Sequence, residues 1–291
     1  MYRSIPVLLF AALLCAAFIP AKKSAIPLQE AIDNKLVEAQ LTGLGGYSGD
    51  CVRLKLTNNT NKNLELMLPE GTLLHPDDPG DQTLLMPEQQ ILALEKSDRH
   101  SYKLPGYCTE ASDASPAEGS GFAMAAATNK TMAALAAYIN EHPELLKYDD
   151  AVQSAVWAVS NNHGVSSIYE PDAPAVNELR AKVCELTGKR NVWYNTRTNR
   201  RMLGDRTIVS DPVEVNGRLT LTSDKPMKVT SKVINDKNEV MFDMGDARNF
   251  RKGTANFTFR IQVKGWAEGT YHVVYLNQAD TVLKQPFLIE A

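Results

Sequence analysis

The apolar residues of this chain change period twice along its length. From Cys51 to Leu104 they alternate with polar ones, as in Cys51-Val52-Arg53-Leu54-Lys55-Leu56 and Leu64-Glu65-Leu66-Met67-Leu68. From Thr131 to Leu186 they return at helical spacing, with Met132, Leu135, Ala136 and Ile139 as the first set. From about Val213 the alternation resumes, most regularly where Phe257, Phe259, Ile261 and Val263 interleave with Thr258, Arg260, Gln262 and Lys264. Side chains alternate across a strand but return to one face of a helix only every third or fourth residue. A strand-rich segment, a helical segment and a second strand-rich segment must therefore follow one another.

The alternation predicts strands at 51–56, 64–68, 82–86, 90–94 and 100–104, the first two joined across the Asn-rich turn at 58–63. A short helix is expected at 27–34, and the glycines at 43, 45 and 46 break the pattern that follows it. Longer helices are expected at 131–140, from Asp149 or Asp150 to Gly164, and from Pro174 to Gly188. The segment at 112–121, rich in Ser, Ala, Gly and Pro, reads as a loop. The fold class expected is α+β: a small N-terminal β-sandwich followed by helices, then an all-β, immunoglobulin-like sandwich at the C-terminus. The expected domains are a signal peptide at 1–21, a strand-then-helix domain at 22–206 and the sandwich at 207–291.

Arg3, the apolar run from Ile5 to Ile19 and the small Ala21 before Lys22-Lys23 have the three-part build of a secretory leader. That places the mature chain outside the cytoplasm, in the periplasm, at the cell surface or in the medium, with no transmembrane span after cleavage. Cys15 follows the bulky Leu14, which does not suit a lipoprotein processing site. Hydrophobic residues at 44% and charged residues at 22% are ordinary for a soluble globular protein, and a net charge of -3 argues against nucleic-acid binding. Outside the leader stand Cys51, Cys108 and Cys184. In an oxidising compartment Cys51 and Cys108, both in strand-rich sequence, are the expected disulfide.

The C-terminal segment resembles the β-sandwich modules that end many exported proteins of Bacteroidota, on Arg218-Leu219-Thr220-Leu221, Val233-Ile234-Asn235-Asp236, Gly269-Thr270-Tyr271-His272-Val273 and Phe287-Leu288-Ile289. Some of those modules are type IX sorting signals. Tyr107-Cys108 and Val152-Gln153-Ser154-Ala155-Val156-Trp157 resemble the two signature elements of thioester domains in bacterial surface adhesins. That resemblance implies Cys108 as sulfur donor and Gln153 as acyl donor of an internal thioester, open to nucleophiles on a partner. Read without it, the helix is an amphipathic one with Trp157 in the core and Gln153 on its exposed side.

Other constellations carry less. The loop His75-Pro76-Asp77-Asp78-Pro79-Gly80-Asp81 holds three carboxylates, Asp77, Asp78 and Asp81, that could meet a Ca2+ ion, although its residues also suit a plain turn. His75, His100, His142 and His163 are possible partners for a thiol hydrolase, with no nucleophile signature around any cysteine. Lys189, Arg190, Arg197, Arg200, Arg201 and Arg206 cluster with Trp193 and Tyr194, as a charged hairpin or a ligand surface. No cofactor is expected. The functions in view are a non-catalytic adhesion or envelope protein with a protein or glycan partner, a covalent adhesin built on Cys108 and Gln153, and a secreted thiol hydrolase.

Overall fold

An antiparallel strand with one wet side needs a second layer against its apolar side, and the buried residues gather in three clusters along the chain. The computed structural model describes residues 25–126 and 129–290. The expected leader, with Arg3, Cys15 and Ala21, lies outside the described residues.

The N-terminal part runs β1 (Ile26–Pro27), α1 (Leu28–Asp33), β2 (Val37–Gly43), β3 (Asp50–Asn58), β4 (Leu64–Leu68), β5 (Thr72–Pro76), β6 (Leu84–Met86), β7 (Gln90–Leu94), β8 (Arg99–Pro105), β9 (Tyr107–Cys108) and β10 (Phe122–Ala126). These strands pair as three small sheets, β2-β3-β8, β1-β4-β7 and β10-β5-β6-β9. Leu54, Leu56, Leu66, Leu74 and Leu104 fill the space between them, joined by Cys51 and Cys108.

Then come α2 (Lys130–Glu141), a 3-10 turn at Pro143–Lys147, α3 (Asp149–Ser160) and α4 (Pro174–Thr187). Asn129 caps α2 by accepting from the Thr131 and Met132 amides. Pro174 opens α4 and Gly188, at φ 71°, closes it, as the sequence suggests. The helices bury Leu135, Ile139, Val156, Leu179 and Val183 against Leu85 and Tyr107 of the strand layer.

The C-terminal part contains β11 (Tyr194–Met202), β12 (Ile208–Ser223), β13 (Met227–Asn235), β14 (Val240–Asp243), β15 (Arg248–Phe250), β16 (Gly253–Gln262), β17 (Gly269–Asn277) and β18 (Asp280–Ile289). One sheet is β11-β12-β16; the other is β14-β13-β17-β18, with β15 also on β13. Val215, Phe259, Val273 and Phe287 lie wholly buried between the two. The described chain is thus mostly β, an α+β arrangement of several sandwich-like sheets. Among the described residues no helix is long and apolar enough to cross a membrane.

Several elements depart from expectation. β2, β5, β10 and β11 form where no clear alternation announced them, each held by a neighbour in register, as Phe122–Ala126 is on Thr72–Pro76. α3 stops at Ser160 rather than Gly164, where Asn162 takes φ 59°. Its Asp149 is no cap: the carboxylate instead accepts from the Tyr107 hydroxyl at 2.8 Å. The turn between β11 and β12 spans residues 206 and 207, so Arg197, Arg200, Arg201 and Arg206 belong to a hairpin of the C-terminal sheet, while Lys189 and Arg190 precede it.

Phe259 meets Trp193 at 5.8 Å and Phe287 at 5.9 Å between ring centroids. Phe259→Ala should cost ~3–5 kcal/mol, read as a lowered denaturant midpoint of the C-terminal sandwich by tryptophan fluorescence.

Candidate functional site

β9 is the edge strand of its sheet, with Cys108 opposite Leu84 of β6 on one side. On the other side, among the described residues, no strand pairs with it, and the side chain of Gln153 takes that place. Its Oε1 accepts from the Cys108 amide at 3.0 Å and its Nε2 donates to the Cys108 carbonyl at 2.7 Å. The same amide also reaches the Tyr47 carbonyl at 3.1 Å. Cys108 and Gln153 are both 0% exposed. The structure therefore brings together the two residues that the thioester resemblance singled out.

The expected exposed position of Gln153 is corrected by the burial of α3. Every residue from Ala151 to Ala158 is buried, so the helix has no wet face along that stretch. Small residues, Ala151, Ser154, Ala155 and Ala158, let neighbouring elements close on all sides. Trp157 leaves the helical core and joins the cluster of Cys51, Cys108 and Ile208.

A glycine loop passes over the pair. Gly45, Gly46 and Gly49 stand at φ 81°, 91° and 67°, a left-handed conformation that side chains resist. This loop presents the Tyr47 carbonyl to Cys108 and the Gly46 carbonyl to the Ser115 hydroxyl at 2.7 Å. Burial pushes the Cys108 thiol well above its ordinary range, an effect the Ser115 hydroxyl partly opposes. Burial likewise pushes the Cys51 thiol up to about 12, with its Sγ donating to the Gly106 carbonyl at 3.3 Å. At neutral pH both stay protonated.

The disulfide expected between Cys51 and Cys108 is not formed; both are free buried thiols, and Cys184 is a free, half-buried thiol on α4. Among the described residues no histidine hydrogen-bonds to a cysteine. His75 contacts Thr83, His142 contacts the Tyr138 carbonyl, and His163 lies 5.7 Å from the Trp157 ring. Nor do Asp77, Asp78 and Asp81 converge: among the described residues no group of three or more His, Cys, Asp or Glu side chains could hold a metal ion. Asp78 accepts from the Gly80 amide, while Asp81 turns inward to Arg206 at 2.7 Å. The basic cluster is largely satisfied internally, with Arg197 on Glu214, Arg200 on Asp150 and Arg201 on Asp211. Trp193 donates to the Pro286 carbonyl at 2.6 Å, and the Tyr194 hydroxyl accepts from the Leu288 amide at 2.9 Å.

Sequence reasoning missed Tyr47 and Ser115, which come from two loops and carry no periodic or spacing signal, and it placed Arg200 only in a basic cluster, not at this pair. Only the glycines around Tyr47 hinted that a backbone had to pass close by.

No family model matches the chain, and no curated protein does. Among solved structures it is similar to a selenomethionine-labelled β-glucosidase from Kluyveromyces marxianus, at 10% identity and a TM-score of 0.21, covering 82% of this chain and 44% of that one. The chain thus spans less than half the length of that enzyme.

Gln153→Ala leaves the buried Cys108 carbonyl without its side-chain partner, and should destabilise the fold by ~1–3 kcal/mol, measured by urea denaturation of the reduced protein. The raised thiols set the alkaline behaviour. Neutral in the fold but free to ionise once unfolded, they stabilise below their ordinary 9.0, and the Cys51 contribution drains away as pH climbs towards about 12. The urea midpoint should fall steadily above pH 9 and fall less steeply in Cys51→Ala.

Proposed function

We propose that this chain is an extracytoplasmic attachment protein whose Cys108 and Gln153 form an internal thioester and transfer the Gln153 acyl group to an amine on a partner. The observation that carries this reading is the contact itself: the Gln153 carboxamide lies on the Cys108 backbone, in a site closed to water. The chemistry balances without a cofactor. The Cys108 thiol adds to the Gln153 carboxamide carbon, its proton leaves with the amide nitrogen as ammonia, and an S–C(=O) bond remains. A partner amine then adds to the same carbon, an amide bond forms, and the Cys108 thiol is released.

The environment suits both steps. The Cys108 amide already points at Gln153 Oε1 at 3.0 Å, where negative charge develops when the carbonyl carbon becomes tetrahedral. Exclusion of water protects an acyl group that would otherwise hydrolyse. The raised thiol makes closure of the ring slow and the free thiol unreactive toward outside reagents. The apolar leader and the C-terminal sandwich fit a protein displayed beyond the cytoplasm, the sandwich serving as spacer or as sorting module.

A second reading has its own support. The two hydrogen bonds from Gln153 complete an edge strand that lacks a neighbour, a purely structural service. The protein would then be a non-covalent adhesion or envelope component, with a protein or glycan partner held elsewhere.

Intact mass separates the two. The covalent reading expects a mass lower by one ammonia, restored by Cys108→Ala or Gln153→Ala apart from the substitution itself, and a methylamine adduct mapped to Gln153. A full-length mass with an intact Gln153 amide and no adduct overturns it and leaves the structural role.

A further inference from the structure

The β11–β12 hairpin belongs to the C-terminal sheet, yet its outer half leaves that sheet and lies on the Cys108–Gln153 site. Three contacts hold it there. On β11, Arg200 grips the turn of α3 that carries Gln153: Nη1 donates to the Asp150 carbonyl at 2.7 Å and to its carboxylate at 3.0 Å, and Nη2 donates to the Ser154 hydroxyl. The guanidinium sits 5.3 Å from the centre of the Trp157 ring, one turn further along α3. Its side chain is 3% exposed although Asp150 is 68% exposed, so the cation is buried and its partner is wet.

At the tip, Arg206 takes φ 69°, unusual for a residue with a side chain. Its carbonyl accepts from the Ser115 amide at 2.9 Å, while its Nη1 donates to the Ser115 carbonyl at 2.6 Å and meets the Asp81 carboxylate at 2.7 Å. Ser115 is the residue whose hydroxyl lies beside the Cys108 thiol. Just after the tip, Ile208 belongs to the same buried cluster as Cys51, Cys108 and Trp157 and is 7% exposed.

From these contacts we infer that the β11–β12 hairpin is a cap on the Cys108–Gln153 site, latched by Arg200 and Arg206, and that lifting it admits the partner's nucleophile. The inference rests on the covalent reading for its purpose, and on the contacts alone for its mechanics. The latch is polar and partly solvated, whereas Ile208 is the only buried apolar residue the outer hairpin adds to the cluster, so the cap is held by few apolar contacts. Coupling runs both ways: a force or partner acting on the C-terminal sandwich reaches the site through this hairpin.

The test uses the full chain carrying Gln153→Ala, in which no thioester can exist, with and without Arg200→Met and Arg206→Met. The probe is iodoacetamide, the readout the alkylation rate at each cysteine by peptide mass. Loss of the latch should speed Cys108 by about tenfold or more while Cys184, on the far helix, keeps its rate. Arg200→Lys, which retains the charge facing Asp150, should recover part of the protection. Equal rates at Cys108 with and without the latch overturn the cap.

Hydrogen exchange on the unmodified chain guards against a variant that merely unfolds. The Ser115 amide, donor to Arg206, should exchange well ahead of the Phe259 amide in the sandwich core; equal protection at the two overturns the cap. The covalent reading fails separately, if methylamine labels Gln153 in no variant that retains it.

Discussion

The carboxamide of Gln153 ties the strand layer to the helical layer through both polar groups of a single backbone residue, Cys108. A two-residue edge strand such as β9 cannot hold itself in place, because half of its hydrogen-bonding capacity faces away from its sheet. Gln153 supplies what a neighbouring strand would have supplied, and it does so from the middle of a helix. Everything around it follows from that contact. α3 must be buried on all sides to keep water from competing, its flank must be lined by alanine and serine, and the loop over Cys108 must be glycine-rich to pass close enough.

This arrangement places ionisable groups where ionisation is expensive. Cys51, Cys108 and Tyr107 are all raised, with burial as the largest cause in each case. Tyr107 donates to Asp149 at the start of α3, and that carboxylate adds to burial in holding the phenol protonated. The site is therefore chemically quiet in the closed state. That quietness is compatible with a structural role and is also what a stored acyl group needs, so the contact by itself leaves chemistry as the deciding observation.

The C-terminal sandwich is not an independent bead on the chain. Its β11–β12 hairpin contributes Ile208 to the N-terminal core and two arginines to the N-terminal surface. Arg180 of α4 adds a second tie, donating to the Asn195 side chain and to the Val192 and Tyr194 carbonyls at the base of β11. At the far end, the Glu290 carboxylate accepts from the Gly164 amide at 3.1 Å, just past α3. Contacts from both ends of the sandwich thus bear on the rest of the chain, and those of Arg200 reach the turn of α3 that carries Gln153.

Strict periodicity made much of this legible in advance. β4 and β7 occupy the residues their alternation marks, Pro174 and Gly188 bound α4, and the Asn-rich and Asp-rich turns fall between strands. The aromatic-cysteine and Gln-x-Ala elements mark Cys108 and Gln153, which lie in contact. What no local pattern carried was anything that depends on a distant neighbour. β10 and β11 are strands because β5 and β12 pair with them, and the Cys51 thiol meets the Gly106 carbonyl while Gln153 meets the Cys108 backbone, contacts that no local pattern marks. Arg200 looks in the sequence like one more cation on a polar strand, and becomes a buried clamp only when the hairpin folds back on α3. Local preference sets the period of each segment, since that depends on backbone geometry alone. Which face of α3 is wet, and what Gln153 touches, was decided by packing between residues dozens of positions apart.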